Sequence, residues 1–342
     1  MPFFSDVSAY TLYGKLAMTT HKGSLQYWQH RRARQRLPRL RSSPVYVKQP
    51  SITNLVGYKV GMAHTAMTDD SDAPSKGQEI SRACTFVEMP ETFVYGARFY
   101  SKNEISHYKQ SAAEVYSKEI AERFKIKAKS KHTIEGMKDK LAGFTELTLL
   151  LVANVKGTSV GQHHRVRYES ALGGANLEEK YKFAIANMGK QVNASDVFKN
   201  GEFLDVVSVT KGKGWQGTIK RFGTARLYHK ATQKVRHIGT LGPFTPGKVL
   251  FTVPQAGQLG FNYRTEYNKR ILKLGKKEEA ATYTPSSGFQ HYGNISSDFL
   301  MLEGSIPGPA KRLVRLRKSV TNRNGKAVKE PKVTYVSTVQ HK

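Results

Sequence analysis

Three stretches of this chain, residues 7–68, 206–265 and 304–329, contain no Asp or Glu, yet they hold 28 of its 55 Lys and Arg residues. They therefore carry almost all of the formal net charge of +29, and the rest of the chain is nearly neutral. A run of cations without acids repels itself and resists compaction unless something outside it supplies the counter-charge. A polyanion does this. Nucleic acid fits, because its phosphates repeat along a backbone that a long basic segment can follow, releasing counterions at each contact.

The 342 residues allow about two domains, and 39% hydrophobic content suffices for a packed core. The single cysteine, Cys84, can form no intrachain disulfide and no cysteine-based zinc site, which points to a reducing compartment and a small buried residue in a strand-like segment. Nothing near the N-terminus resembles the apolar core of a signal peptide. The longest apolar run, residues 147–153, is too short to cross a bilayer. The basic runs are broken by Gly and Pro, unlike an amphipathic membrane helix. The expectation is a soluble intracellular protein with no membrane partner.

Along the chain, residues 1–44 read as a basic extension: Arg31, Arg32, Arg34, Arg36, Arg39 and Arg41 cluster there with no apolar face of their own, although a short helix before Pro38 is possible. Residues 51–68, 82–88 and 92–99 read as strands, with a turn over 69–76. Between 104 and 131, Ile105, Tyr108, Ala112, Val115, Ile120 and Phe124 recur near the helical period, which predicts a structural helix. Residues 147–153 read as a buried strand, and Asn176-Leu177-Glu178-Glu179 has the spacing of a capping box before a helix. Strands return at 203–210 and 298–306. Between them lies the second basic run, whose nine glycines forbid a long helix; we read it as a structured basic excursion. No fixed-period repeat is present.

Gly212-Lys213-Gly214-Trp215-Gln216-Gly217 follows a strand and matches the dinucleotide pattern G-x-G-x-x-G. The segment after it opens no obvious helix, and no carboxylate follows until Glu266, so the match is set aside. Such glycines also let backbone N–H groups approach RNA phosphates. The stretch from Gly242 to Lys248 misses the P-loop pattern, since Val249 stands where a hydroxyl should hold magnesium. Pro243 and Pro246 stiffen the backbone around Phe244, and chemistry alone leaves open whether that ring is displayed at a tip or tucked into the core. His163, His164, His229, His237 and His291 lack metal-ligand spacing; surface or phosphate contact suits them better. Trp215, Phe222 and Tyr228 interleave with the cations, as base stacking plus phosphate contact requires, though core packing stays open for Trp215 and Phe222. No catalytic set, metal or cofactor is indicated.

Residues 209–223, reading Val-Thr-Lys-Gly-Lys-Gly-Trp-Gln-Gly-Thr-Ile-Lys-Arg-Phe-Gly, closely resemble the signature of the ribosomal protein L-three family. So do 239–249, 254–260, 264–271 and 304–316, and upstream His21-Lys22-Gly23-Ser24-Leu25 and 57–62. The resemblance covers about residues 22–316; the termini match nothing assignable. The large insertion and Arg264-Thr265-Glu266-Tyr267-Asn268-Lys269 look like the archaeal and eukaryotic branch, with the length pointing to an archaeal type.

The resemblance implies a mixed β and α/β fold, in which a six-stranded β-barrel of the translation-protein type carries an α/β insertion and long basic extensions. The implied parts are an extension (1–44), barrel segments (45–100 and 201–308) around the insertion (101–200), a central finger (about 212–258) and a basic tail (309–342). It implies RNA-facing roles for Lys211, Lys213, Lys220, Arg221, Arg226, Lys230, Lys234, Arg236 and Lys248, with Phe244 at the finger's tip near the peptidyl-transferase centre. This branch usually has Trp at that tip. To these candidates we add Lys22, the six arginines from Arg31 to Arg41, Trp215, His237, Arg264, Lys311 and Arg312. The function implied is that of a structural constituent of the large ribosomal subunit, in the cytoplasm. Its partners would be large-subunit ribosomal RNA and neighbouring ribosomal proteins, with no small-molecule substrate and no catalysis. An RNA chaperone and a nucleic-acid-modifying enzyme with basic arms are the alternatives; the enzyme would need acids or metal ligands beside the basic loops.

Overall fold

The β-prone stretch after residue 51 becomes one long strand, β1 (Asn54–Thr68), which returns through a turn into β2 (Glu79–Glu88). In the computed structural model the described residues are 31–44, 46–103, 108–126, 133–231, 234–321 and 329–339. They divide into two compact units, one taking in residues 31–34 and Thr210–Asn262, the other Gln35–Val209 and Tyr263–Lys342. The architecture is mixed, mostly strands in antiparallel sheets with a few short helices. None of the described helices is long and apolar enough to cross a membrane.

The larger unit continues through β3 (Glu91–Lys102), β4 (Lys109–Tyr116), α1 (Lys118–Arg123), β5 (Glu146–Asn154), β6 (Val166–Ala171), α2 (Leu177–Asn187), β7 (Gln191–Val192), α3 (Ala194–Val197) and β8 (Phe203–Val209). After the excursion of the smaller unit, which contributes β9 (Trp215–Gln216), α4 (Thr218–Phe222) and β10 (Gly257–Gln258), come β11 (Tyr263–Gly275), α5 (Ala280–Tyr283), β12 (Phe299–Glu303), β13 (Leu313–Lys318) and β14 (Val333–Val336). A seven-stranded sheet has the order β13-β8-β11-β12-β2-β1-β14, and β13 also pairs with β1, from Asn54 opposite Arg317 to Tyr58 opposite Leu313. Register shifts between Lys59 and Gly61. A side chain at Gly61 would meet the Phe289 ring at 2.8 Å, so this close approach beside the bulge requires glycine.

The second sheet has the order β4-β3-β5-β6, with β7 also on β3. Its inner strand β5 explains the largely apolar stretch at 147–153. Leu147, Leu149 and Leu151 pack into the main core with Phe86, Phe99 and Phe299, while Leu150 and Val152 face the other way onto Ile120 and Phe124 around α1. Both faces are covered, so even the one polar position, Thr148, is buried, its hydroxyl donating to the Glu169 carboxylate at 2.6 Å. Each such apolar side chain contributes about 1.5–3 kcal/mol on burial.

Four expectations change. The helix over 104–131 is instead strand β4 followed by the six-residue α1, because β3 presents an open edge that residues 109–116 pair with. Ile105 lies outside the described residues. Residues 92–99, expected in the first barrel segment, pair as β3 with β4, β5 and β7 of the second sheet. No helix forms among residues 31–44. The region after 309 is not a tail, since β13 and β14 both belong to the seven-stranded sheet. The helix after Asn176 does form as α2; the Asn176 amide donates to the Glu179 carboxylate at 3.0 Å rather than capping a backbone N–H.

The third basic run is partly interior. On β13, Arg317 is buried in an ion pair with Asp205 at 2.8 Å and also donates to the Ser42 carbonyl at 2.7 Å. Arg315 donates to Asn54 Oδ1 at 2.9 Å and to the Pro38 carbonyl at 3.3 Å, and burial pushes its guanidinium down to about 10. These two arginines hold residues 38–42 against the strand instead of facing solvent.

Candidate nucleic-acid interface

The smaller unit starts from a short ladder. Thr210 N donates to the Asn262 carbonyl at 3.0 Å, Lys213 N to Leu259 at 2.9 Å, and Leu259 N back to Gly214 at 2.9 Å. Gly260, at φ +76°, lies so close to the Lys211 carbonyl that a Cβ would collide with it. Beyond β9, Gly217 starts α4 and Gly223 ends it in the left-handed conformation. The G-x-G-x-x-G stretch thus does open a helix, of five residues, contrary to the sequence expectation. The carboxylate partner a dinucleotide needs is still missing from the sequence.

From α4, Arg221 turns inward. Its Nε donates to the Gln258 carbonyl at 3.1 Å and its Nη1 to that of Gln255 at 2.8 Å, and its guanidinium lies 5.0 Å from the Phe222 ring centroid. A Cβ on Gly257 would meet the guanidinium at 2.8 Å, so glycine there makes room for the clamp. Burial lowers the Arg221 pKa. Of the cations expected to face RNA, this one is instead committed to closing the base of the excursion.

The remaining expected cations among this unit's described residues are solvent-facing. Lys211, Lys213, Lys220, Arg226, Lys230, Lys234, Arg236, His237 and Lys248 are exposed, as are Arg31, Arg32 and Arg34. This unit's described residues include no Asp or Glu, so the positive potential has no internal compensation. Trp215 is 76% exposed and Phe244 99%, which rules out core packing for both; Phe222, at 7%, is buried. Tyr228, Leu241, Leu250 and Phe251 are exposed apolar neighbours along the same excursion. An open cleft of about 520 Å³ is lined by Arg31, Arg32, Ala33, Arg34, Gln258 and Phe261. Sequence reading missed Gln258 and Phe261; the glycines at 257 and 260 that bracket the turn were the available signal.

In the larger unit, Arg36, Arg39, Arg41, Arg264 and Lys311 are exposed and Arg312 is half-buried. Burial first, and then the neighbouring charge of Arg36, lowers the Arg312 pKa. The Tyr263 hydroxyl donates to the Gln35 carbonyl at 3.2 Å, which holds the segment bearing Arg36 beside β11. Lys22 lies outside the described residues. Among the described residues no cluster of His, Cys, Asp and Glu could hold a metal.

A strand-built scaffold bearing an acid-free excursion with displayed aromatics defines a class, that of structural proteins whose extensions engage a polyanion. The chain belongs to the ribosomal protein L3 family, whose sequence profile matches residues 15–341. The match takes in the stretch beyond Lys318 that sequence reading left unassigned. It is 39% identical to the large ribosomal subunit protein uL3 of Methanothermobacter thermautotrophicus, over 93% of this chain and 96% of the relative. The uL3 proteins of Pyrobaculum arsenaticum and Methanocaldococcus jannaschii are 38% and 37% identical, each over 93% of this chain and 97% and 96% of the relative. The type is archaeal.

Proposed function

We infer that this chain is a structural constituent of the large ribosomal subunit, working in the cytoplasm in association with ribosomal RNA and other ribosomal proteins. The family is one of ribosomal structural proteins, not enzymes, and nothing favours a free chaperone or a modifying enzyme. The observation that carries the RNA-binding reading is the acid-free excursion, which displays its cations and Phe244 to solvent while burying Arg221 and Phe222 to hold itself together. Lys211, Lys213, Lys220, Arg226, Lys230, Lys234, Arg236, His237 and Lys248 contact RNA backbone, Trp215 and Phe244 offer stacking faces, and the arginines from Arg31 to Arg41 with Lys22, Arg264, Lys311 and Arg312 extend the same contact. In this reading Phe244 is the tip of a finger, residues 212–258, that reaches towards the peptidyl-transferase centre.

The six strands β1, β2, β12, β11, β8 and β13 form a closed barrel of the translation-protein type; the support is that each pairs with the next and β13 pairs back to β1. Residues 1–44 are the N-terminal extension and 101–200 the insertion. Sedimentation of the native protein through a high-salt wash tests the assignment: it should stay with the large subunit, and a chain found free or only transiently associated would refute it.

A further inference from the structure

The stretch from residue 241 to 252 is exposed at every position, yet five of its side chains are large and apolar: Leu241, Phe244, Val249, Leu250 and Phe251. A loop that meets only water is normally polar, and apolar side chains gathered on an exposed segment mark a contact with something outside the chain. Phe244 accounts for the tip. Three of the five are consecutive on the returning arm, and there the backbone puts them on display. Val253 N donates to the Leu250 carbonyl at 3.1 Å, which closes a turn with Phe251 and Thr252 at its corner. Turns favour Gly, Pro, Asn, Asp and Ser, so a phenylalanine at the corner is not there for the turn's sake. Pro254 then restricts Val253 to extended backbone, which fixes the direction in which the chain leaves the turn. The Phe251 ring is 70% exposed, and no aromatic or cation contact involves it among the described residues.

We propose that Phe251 stacks on an unpaired base of large-subunit ribosomal RNA, with Val249 and Leu250 against the adjoining sugar and Lys248 on its phosphate. The inference rests on the RNA-binding reading above and adds a second point of base capture, on the returning arm of the excursion rather than its tip. The chemistry favours RNA over an apolar patch on another protein. Lys248 is exposed directly before the apolar trio, and the acid-free excursion offers nothing to offset its charge, so whatever covers the ring must also bring an anion. A nucleotide carries a π-face, a sugar and a phosphate in one unit. A protein pocket that buries the ring leaves the lysine unanswered.

The test uses the full-length protein with large-subunit ribosomal RNA, measuring affinity over a salt series. Phe251→Ala and Phe251→Leu should each weaken binding about 5- to 150-fold, the loss of one base–aromatic stack, with the slope of log affinity against log salt unchanged. Phe251→Tyr should bind as the wild type does. Lys248→Ala should reduce that slope by about 0.7–0.9, the loss of one phosphate. Full binding by Phe251→Leu overturns the stack, because an apolar pocket accepts leucine and a base does not stack on it. With the ring exposed, Phe251→Ala should melt with the wild type; early melting would show a packed ring and overturn the proposal. Combining Phe251→Ala with Phe244→Ala decides whether two bases are held: the fold-losses should multiply, and a double variant no weaker than Phe244→Ala alone overturns the second contact. A wild type showing no salt-dependent binding overturns the reading beneath as well. In assembled large subunits, Phe251→p-benzoylphenylalanine should photo-crosslink to RNA, and an adduct to a protein neighbour alone overturns the proposal.

Discussion

Replacing Phe244 with alanine should leave the free protein's stability untouched while impairing what it does with RNA. At 99% exposure the ring buries almost no area, and no ring contact involves it among the described residues. The transfer contribution of about 25 cal/mol per Å² therefore acts on almost nothing, and the expected change is within about 0.5 kcal/mol. Phe222 is the internal control: at 7% exposure beneath Arg221, its truncation should cost about 3–5 kcal/mol locally. Bound to RNA, the Phe244 ring should contribute about 1–3 kcal/mol by stacking, so Phe244→Ala loses about 5- to 150-fold in affinity or disturbs subunit maturation. Phe244→Trp should be tolerated. The assay pairs chemical unfolding of the isolated variants with RNA binding and analysis of assembled subunits. A Phe244→Ala midpoint depressed as far as that of Phe222→Ala would show the ring to be structural and refute the finger-tip reading. Unchanged stability with unchanged RNA affinity and normal subunits would refute the stacking role.

Affinity for large-subunit RNA should fall steeply with salt; neutralising Arg31, Arg32, Arg34 and Arg36 should flatten that dependence, while Glu119→Lys and Glu122→Lys leave it alone, as filter binding would register. Asp205→Ala strands the buried Arg317 and should cost about 3–5 kcal/mol, read from the urea midpoint. Asp70 accepts two hydrogen bonds from Arg270, which lower its pKa. Because the folded value lies below the unfolded one, its contribution is fully present above the ordinary carboxylate range of about 3.9 and is lost as pH falls through the lowered pKa. Asp70→Asn should then make stability less sensitive to acid in that window, as a pH series of unfolding midpoints would show.

What the sequence revealed and concealed follows from how each signal arises. Strands β1, β2, β5, β8 and β12 were legible because their apolar content is local: Leu147 to Ala153 is a run in the chain as well as in the core. Strand β4 was not, since its identity comes from the open edge of β3 and its own side chains, half of them exposed, carry a sparse pattern that mimics a helical period. The basic runs were legible as charge but not as surface. Arg317 lies in an acid-free stretch, yet its partner Asp205 is 112 residues away and meets it only across paired strands. Arg221 looks like its neighbour Lys220 in sequence; only the return of Gln255–Gly257–Gln258 beneath α4 distinguishes a clamp from a contact. The Phe244 ambiguity likewise could be settled only by exposure.

The Arg221 clamp has a bearing on how this part of the molecule can change through evolution. With the outgoing and returning strands fastened near residues 213 and 259, and the guanidinium gripping residues 255 and 258, the intervening loop is a tethered segment whose ends stay fixed whatever its length. Closing a flexible loop costs only about 0.6 kcal/mol more for each doubling of its length. Insertions and deletions between Gly223 and Pro254 therefore perturb the rest of the fold little, and the reach of the tip becomes a freely adjustable dimension. Lineages could lengthen or shorten it to suit the depth of their own RNA, provided Arg221 and Gly257 stay together.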